Sequence, residues 1–287
     1  MKLARCEINE RPFWALVDTD TQTVTPIDAP FSEWGPALTR TINEGAAQVS
    51  VLPLVDQSLA LSEVRLLPPV EPVNRVVVAG ANYAKHLADD FGLSAPPQPV
   101  AFLKAYGALI GANDDICYPK LTNELDHEVE LVVALGLSPV DLANPLHSVL
   151  GYTVGNDVSA RDLQRSGPKG IGMDLFAAKS QDKTTGVGPW IVTRDEFPTG
   201  SPILNLRLSV DGDLRQNGTT ADMTWDVGQL ITFVEQRSSF CAGDILFTGS
   251  PDGVGQGTGK FLNPGELVEA SIENIGALAN RVAEKNC

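Results

Sequence analysis

The chain has 287 residues, 43% of them apolar and 20% charged, ordinary globular proportions that exclude a disordered or low-complexity polypeptide. Its formal net charge is −15, and without any run of Lys and Arg it lacks the electrostatic footprint of a nucleic-acid-binding protein. The same field repels small anions, so an anion site here needs local positive charge or a bound cation.

No stretch approaches the roughly 20 apolar residues that span a bilayer. Met1-Lys2-Leu3-Ala4-Arg5-Cys6-Glu7 turns polar at once, without the apolar core of a secretory signal. Cys6, Cys117, Cys241 and Cys287 are widely separated and form no C-x-x-C pair, which argues against a disulfide scaffold or a thiolate zinc site. A cytoplasmic protein with no membrane and no nucleic-acid partner is the expectation.

In chain order, residues 1–68 read as a small α+β domain. Trp14 to Val17 and Thr21 to Thr25 read as strands flanking the turn Asp18-Thr19-Asp20, and Glu33 to Asn43 as a helix capped by Ser32. The proline-rich segment Leu67-Pro68-Pro69-Val70-Glu71-Pro72 interrupts regular structure and marks the boundary with a second domain, residues 69–287. That domain opens with the apolar run Arg75 to Gly80, a buried strand, and a helix starts within Ala81 to His86. Asp90 to Gln98, followed closely by Pro99, is a loop and a candidate lid. Further on, Leu204 to Val210 alternates apolar and polar and ends at Asp211-Gly212, a hairpin signal. Asp226-Val227-Gly228-Gln229 resembles a helix capping box, and Leu267 to Glu273 and Ala277 to Ala283 are the last strands. With no regular βαβ alternation, a Rossmann or TIM architecture is excluded.

The most informative stretch is Asp126-His127-Glu128-Val129-Glu130-Leu131 and its apolar continuation to Leu135. As a strand it puts Asp126, Glu128 and Glu130 on one face, with His127 opposite and structural. Three neighbouring acids repel unless they are solvated, protonated or neutralised by a cation. A solvated edge face is the bland alternative, and the apolar continuation argues against it. The strand Gly151 to Gly155 then brings Asp157 to its tip, where an aspartate alone is as readily a turn residue or helix cap. Glu-x-Glu with a distant Asp is an all-oxygen donor set, suited to Mg²⁺ or Mn²⁺, with Ca²⁺ a further candidate, rather than Zn²⁺. The glycine-rich run Gly249 to Lys260 does not fit a P-loop, since Lys260 is followed by Phe261 and not by Ser or Thr.

At these residues the sequence resembles the fumarylacetoacetate hydrolase family, in its branch of acylpyruvate hydrolases and 2-hydroxyhepta-2,4-diene-1,7-dioate isomerases. The landmarks occur in the family's order: Val78 to His86, Asp126 to Leu131, Gly151 to Asp162, Ala178-Lys179-Ser180, Gly188-Pro189-Trp190, Gly243 to Leu246 and Thr248 to Gly255. The resemblance implies an α+β, predominantly mixed-β fold, with a rolled-sheet catalytic domain, usually in a homodimer. It implies Glu128, Glu130 and Asp157 as metal ligands, His86 as catalytic histidine with Asp89 as its acidic partner, and Lys179 beside the substrate. Tyr83, Gln164 and Ser250 are candidate pocket residues, and Arg161 and Asp162 a pair fixing the loop of Asp157. Three departures stand out: Asp89 replaces a longer Glu, Gln181 stands in a Lys-Ser-Phe-Asp pattern, and Ser250 stands where Thr precedes Pro.

The chemistry expected from this resemblance is hydrolysis of a C–C bond in an acylpyruvate-type 2,4-dioxo acid. A decarboxylase or enol-keto isomerase using the same site is the nearest alternative, and an inactive metal-stabilised binding protein is the alternative from another class.

Overall fold

The computed structural model describes residues 1–170, 172–197 and 201–285. The amino-terminal part forms β1 (Lys2–Ile8), β2 (Arg11–Asp18), β3 (Thr23–Ile27), helix α1 (Phe31–Asn43), β4 (Leu59–Ala60) and β5 (Arg65–Leu67). There follow β6 (Val76–Gly80), α2 (Ala84–Phe91), β7 (Val100–Lys104), β8 (Leu109–Ile110), β9 (Leu125–Asp126), β10 (Val129–Leu135), β11 (Val149–Asn156) and β12 (Ser159–Ala160). The short helices α3 (Arg161–Gln164) and α4 (Leu175–Lys179) lead into β13 (Thr185–Thr193). The chain ends with β14 (Asn205–Val210), β15 (Asp213–Thr219), α5 (Val227–Glu235), β16 (Ile245–Phe247), α6 (Gly255–Thr258), β17 (Leu267–Ile272) and β18 (Gly276–Arg281).

A large mixed sheet runs in the order β4-β3-β2-β1-β13-β11-β10-β16-β6-β7, and a smaller one in the order β15-β14-β17-β18. Most pairs are antiparallel, but β16 runs parallel to β6 and β8 parallel to β13. β10 is buried along its whole length, as expected of a strand covered on both faces. Its odd residues Leu131 and Val133 join Leu206 and Leu208 of β14 and Leu230 and Ile231 of α5 in one core. Its even residues Val132 and Ala134 join Trp34 and Leu38 of α1 in a second. This period-two division makes β10 the spine between the two cores.

The first strands are not set apart from this sheet. β1 pairs antiparallel with β13, with Lys2 opposite Val192 and Leu3 opposite Ile191. Residues 1–68 therefore extend the main sheet, and the proline-rich boundary divides the sequence without dividing the hydrogen-bond ladder.

The hairpin at Asp211-Gly212 and the strands on either side form as expected. So does the capping box: Asp226 accepts from the Gln229 amide at 2.8 Å, and Gln229 Oε1 accepts from the Asp226 amide at 2.9 Å. Helix α1 starts earlier than expected, after Pro30, so Ser32 lies inside its first turn and makes no cap. The reason is aromatic packing, because Phe31 closes on Trp14 at 5.4 Å and on Trp34 at 4.8 Å. Cys6 and Cys241 are free thiols. Among the described residues no helix is long and apolar enough to cross a membrane.

The strand expected from Asp126 to Leu135 breaks at residues 127 and 128. β9 pairs with β12, whereas β10 pairs with β11. Asp126 is drawn away to Arg161 and to the amides of Gly255 and Gln256, so it does not share a face with Glu128 and Glu130.

Close packing at Gly155, two residues before Asp157, sets the height of the β11 tip. A Cβ there would lie 2.5 Å from Phe247 and 2.6 Å from Val132. Gly155→Ala should destabilise the fold by about 1–3 kcal/mol, as overpacking does, and should weaken metal binding. Urea unfolding and a Mn²⁺ titration would check this, and wild-type values in both would contradict the packing account.

Candidate active site

Antiparallel pairing of β10 with β11 places Val129 opposite Asn156 and Glu130 opposite Gly155. The register continues past the strand ends, where the Asp157 amide donates to the Glu128 carbonyl at 2.8 Å and Asn156 Oδ1 accepts from the Glu128 amide at 2.9 Å. Glu128, Glu130 and Asp157 are thereby gathered, all buried, with one carboxylate oxygen of each within 4.8 Å of the others. This all-oxygen set fits a hard divalent cation.

Three cations surround the carboxylates. Lys179, at the end of α4, donates to Glu128 and, at 2.6 Å, to Asp157 Oδ2. Arg161 joins Glu128 to Asp126, the latter at 2.7 Å, and also donates to Gln164 at 3.0 Å. Lys104, from β7, lies 2.8 Å from Asp157 Oδ1 and donates to Thr185 and to the Lys179 carbonyl. The Lys104 contact to Asp157 is an ion pair without hydrogen-bond alignment, since Asp157 Oδ1 has no hydrogen-bond donor among the described residues.

These neighbours divide the carboxylates. Burial pushes the Glu128 carboxyl up, but Arg161, Lys179 and His86 outweigh it and hold the group below the usual range. Glu130 goes the other way: burial, with Asp157 and Glu128 nearby, pushes its carboxyl well above the ordinary value. Among the described residues its one hydrogen-bond donor is the Gly249 amide at 2.6 Å. Burial also pushes the Lys104 ammonium down, beyond what Asp157 restores. For Lys179 the balance is reversed, as Asp157 and Glu128 more than offset burial.

A cavity of ≈ 220 Å³ opens above the cluster and is lined by His86, Gln164, Lys179 and Ser250 as well as the three acids. That is smaller than the ~300–1,000 Å³ of drug-sized sites. His86, on α2, contributes through its ring: Nδ1 meets Asp90 Oδ2 at 2.7 Å, which leaves Nε2 for the pocket.

The expected partner of His86 is corrected here. Asp89 is exposed, and the carboxylate on the imidazole belongs to Asp90, four residues on, which also accepts from the Gly253 amide at 3.1 Å. Ser250 lines the cavity, but its hydroxyl donates to the Val129 carbonyl and accepts from Gln216. Gln164 also lines it, oriented by Arg161. Tyr83 is buried beside the site and is not among the cavity's lining residues; burial, then the charges of Glu130 and Asp222, push its phenol up. His127 is buried opposite, against Gln216, and burial pushes its imidazole down. Asp162 ties Thr122 and the Asn123 amide, not Arg161. Lys104 escaped the sequence reading altogether.

The upward shift of Glu130 gives a signed expectation. Between the ordinary Glu range and its raised value, the folded chain keeps a proton that the unfolded chain has lost. Without metal, stability therefore falls as pH rises through that interval. A divalent cation on the cluster must displace the proton. Calorimetric titration of metal-stripped protein with Mn²⁺ in buffers of different ionisation enthalpy should show proton release, lost in Glu130→Gln. Metal binding without proton release would contradict a protonated Glu130.

Residues 75–283 match the family described as Fumarylacetoacetate (FAA) hydrolase C-terminal, and residues 1–69 the one described as Rv2993c-like, N-terminal. Protein Rv2993c of Mycobacterium tuberculosis is 38% identical over 231 residues, 80% of this chain and 82% of that one. A 2,4-didehydro-3-deoxy-L-rhamnonate hydrolase of Sphingomonas sp. is 36% identical over 83% of this chain and 81% of its own length. Among solved structures, a 2-hydroxyhepta-2,4-diene-1,7-dioate isomerase from Mycobacterium marinum superposes with a TM-score of 0.77 at 31% identity over 100% of both chains. Fumarylpyruvate hydrolase from Pseudomonas aeruginosa, solved with Mn²⁺ and pyruvate, does so with a TM-score of 0.66 at 29% identity, over 77% of this chain and 92% of that one. Matched over most of its length by the family's own model, and carrying a buried Glu-x-Glu and Asp cluster, the chain belongs to the fumarylacetoacetate hydrolase family.

Proposed function

We propose that this chain is a divalent-metal-dependent hydrolase that splits the C3–C4 bond of acylpyruvate-type 2,4-dioxo acids into pyruvate and a carboxylic acid. The observation that carries the reading is the His86–Asp90 pair facing the three-carboxylate cluster across one small cavity. Such a pair is a base suited to activating water, and the cluster is suited to holding the cation that the substrate's negative charge requires.

Glu128, Glu130 and Asp157 would hold Mg²⁺ or Mn²⁺; when bound, the cation supplies Lewis acidity and positive charge to the 2-oxo acid end of the substrate. The rest is the work of side chains. With the Nδ1 proton directed to Asp90, His86 Nε2 takes a proton from water as its oxygen adds to C4. The C3–C4 bond then breaks, leaving the acid and the pyruvate enolate, and a proton returns to C3. The Lys179 ammonium, which donates to Glu128 and Asp157, would stabilise the enolate charge as it develops. Arg161 is a positioning residue that fixes Glu128 and Gln164. A small 2-oxo acid is thus the proposed partner, with a cytoplasmic, homodimeric enzyme as its setting.

The direct experiment is turnover of acylpyruvates and oxaloacetate by metal-stripped protein, with and without Mg²⁺ or Mn²⁺, followed by ultraviolet absorbance and mass spectrometry. Pyruvate plus acid, dependent on metal, is the expected result. Carbon dioxide from oxaloacetate, or an isomer of unchanged mass, would replace hydrolysis by decarboxylation or isomerisation.

The dyad has its own test. His86→Ala should lower kcat by about 10²- to 10⁴-fold with metal affinity retained. Asp90→Asn should follow it in direction, whereas Asp89→Asn should stay close to wild type. Loss of activity in Asp89→Asn with Asp90→Asn active would restore the partner read from sequence.

A further inference from the structure

The cavity has two unlike ends. At its floor lie the carboxylates with Arg161 and Lys179, the two Lys or Arg side chains among its described lining residues. Both are committed there, Arg161 to Asp126 and Glu128, and Lys179 to Glu128 and Asp157. Beyond the floor and its polar neighbours His86, Gln164 and Ser250, hydrocarbon comes from three separate segments: Phe91 at the end of α2 with Leu93 after it, Val100 and Phe102 on β7, and Met173 and Leu175 at α4. Leu93, Val100 and Met173 are themselves 55%, 42% and 58% exposed, so the apolar wall continues outward to the mouth. Isolated exposed apolar residues are ordinary, but three converging on one opening that leads to a charged floor are a feature of the site.

This wall has a consequence for the half of the substrate that points away from the floor. A second carboxylate there would lose its water and meet no cation, a heavy penalty. An alkyl or aryl group would instead remove apolar surface from water on both sides. We infer that the substrate is a monocarboxylate whose acyl group is apolar, in contrast to the dicarboxylates named for the fumarylpyruvate hydrolase and the heptadiene-dioate isomerase. The inference rests on the 2-oxo acid reading of the site and narrows it to a substrate class, with Phe91, Phe102 and Met173 as specificity-determining residues.

The test separates the two. Binding of unbranched 2-oxo acids from 2-oxobutanoate to 2-oxooctanoate to the Mn²⁺-loaded protein is measured by calorimetry beside 2-oxoglutarate. Turnover is measured for acetyl-, butanoyl- and hexanoylpyruvate beside fumarylpyruvate. Affinity should rise about fourfold per methylene until the wall is covered, and 2-oxoglutarate should bind at least tenfold more weakly than 2-oxohexanoate. Met173→Lys, at an exposed position that tolerates a polar side chain, should move that preference toward 2-oxoglutarate. A chain-length trend without cleavage of any acylpyruvate would support the apolar site and reject hydrolysis. Preferred binding of 2-oxoglutarate or preferred cleavage of fumarylpyruvate would overturn the apolar site and keep hydrolysis. Failure of every 2-oxo acid to bind would overturn both.

Discussion

Everything in this site follows from placing four carboxylates in the interior of a β protein. Asp126, Glu128, Glu130 and Asp157 are all buried, and against them stand Arg161, Lys104 and Lys179. Ions taken out of water are tolerated where they are paired and hydrogen-bonded. Asp126, Glu128 and Asp157 meet those conditions through ion pairs. Glu130 has no ion pair among the described residues and accepts from one backbone amide, and burial beside Asp157 and Glu128 drives it toward its protonated form. Once that proton is displaced, the four carboxylates exceed Arg161, Lys104 and Lys179 by one negative charge, which is where a bound cation gains most. The chain's high net negative charge sharpens the point, because any anion that enters has to be attracted by this local arrangement and not by the protein's overall field.

The sheet supplies the geometry that makes such a cluster possible. β10 and β11 are buried throughout, so their ends are held in register by two cores and not by the site itself. Glu128 precedes one strand and Asp157 follows the other, and a direct backbone hydrogen bond joins them. Asp126 then serves the scaffold: it draws Arg161 inward and pins the Gly255 and Gln256 amides, which brings the glycine-rich loop down over the site. Gly257, from the same loop, has no room for a Cβ because Asp90 lies within 2.0 Å of where it would be. The loop therefore supports the His86–Asp90 pair as well as the carboxylates.

The carboxylate cluster was partly legible because spacing along a strand carries geometry. Glu128 and Glu130 two apart, before an apolar run, already implied a shared face leading into the core, whereas Asp157, at the tip of a β-branched strand, was singled out only by the family resemblance. Asp126 was misread because the alternation was extrapolated through a break that only long-range partners create. The His86 partner was assigned to Asp89 for a different reason, since residues three and four apart are both neighbours on a helix surface. The choice of Asp90 depends on the packing of the Gly253 and Gly257 loop, some 160 residues away in sequence. Lys104 carried no local signal at all. As the last residue of an apolar strand it reads as a solvated end, and only the β6–β7 pairing and the approach of α4 make it a buried cation.

β7 shows how one ordinary element joins the two halves of the cavity. Val100, Phe102 and Lys104 are two apart and so point to one side of the pleat, with Ala101 and Leu103 on the other. Along that side Val100 is 42% exposed at the mouth and Lys104 is 4% exposed, behind the cavity lining against Asp157. Strand geometry thereby couples the apolar wall of the cavity to the ammonium that braces Asp157. The coupling has a structural cost: β7 is the terminal strand of the large sheet, and its outward residue Leu103 is 61% exposed. An edge strand is the least constrained member of a sheet, yet here it carries a residue tied to Asp157, Thr185 and the Lys179 carbonyl. Those buried contacts at its inner end hold β7 in register where the ladder on its outer side is missing, so the charged cluster stabilises the same strand that shapes the apolar wall.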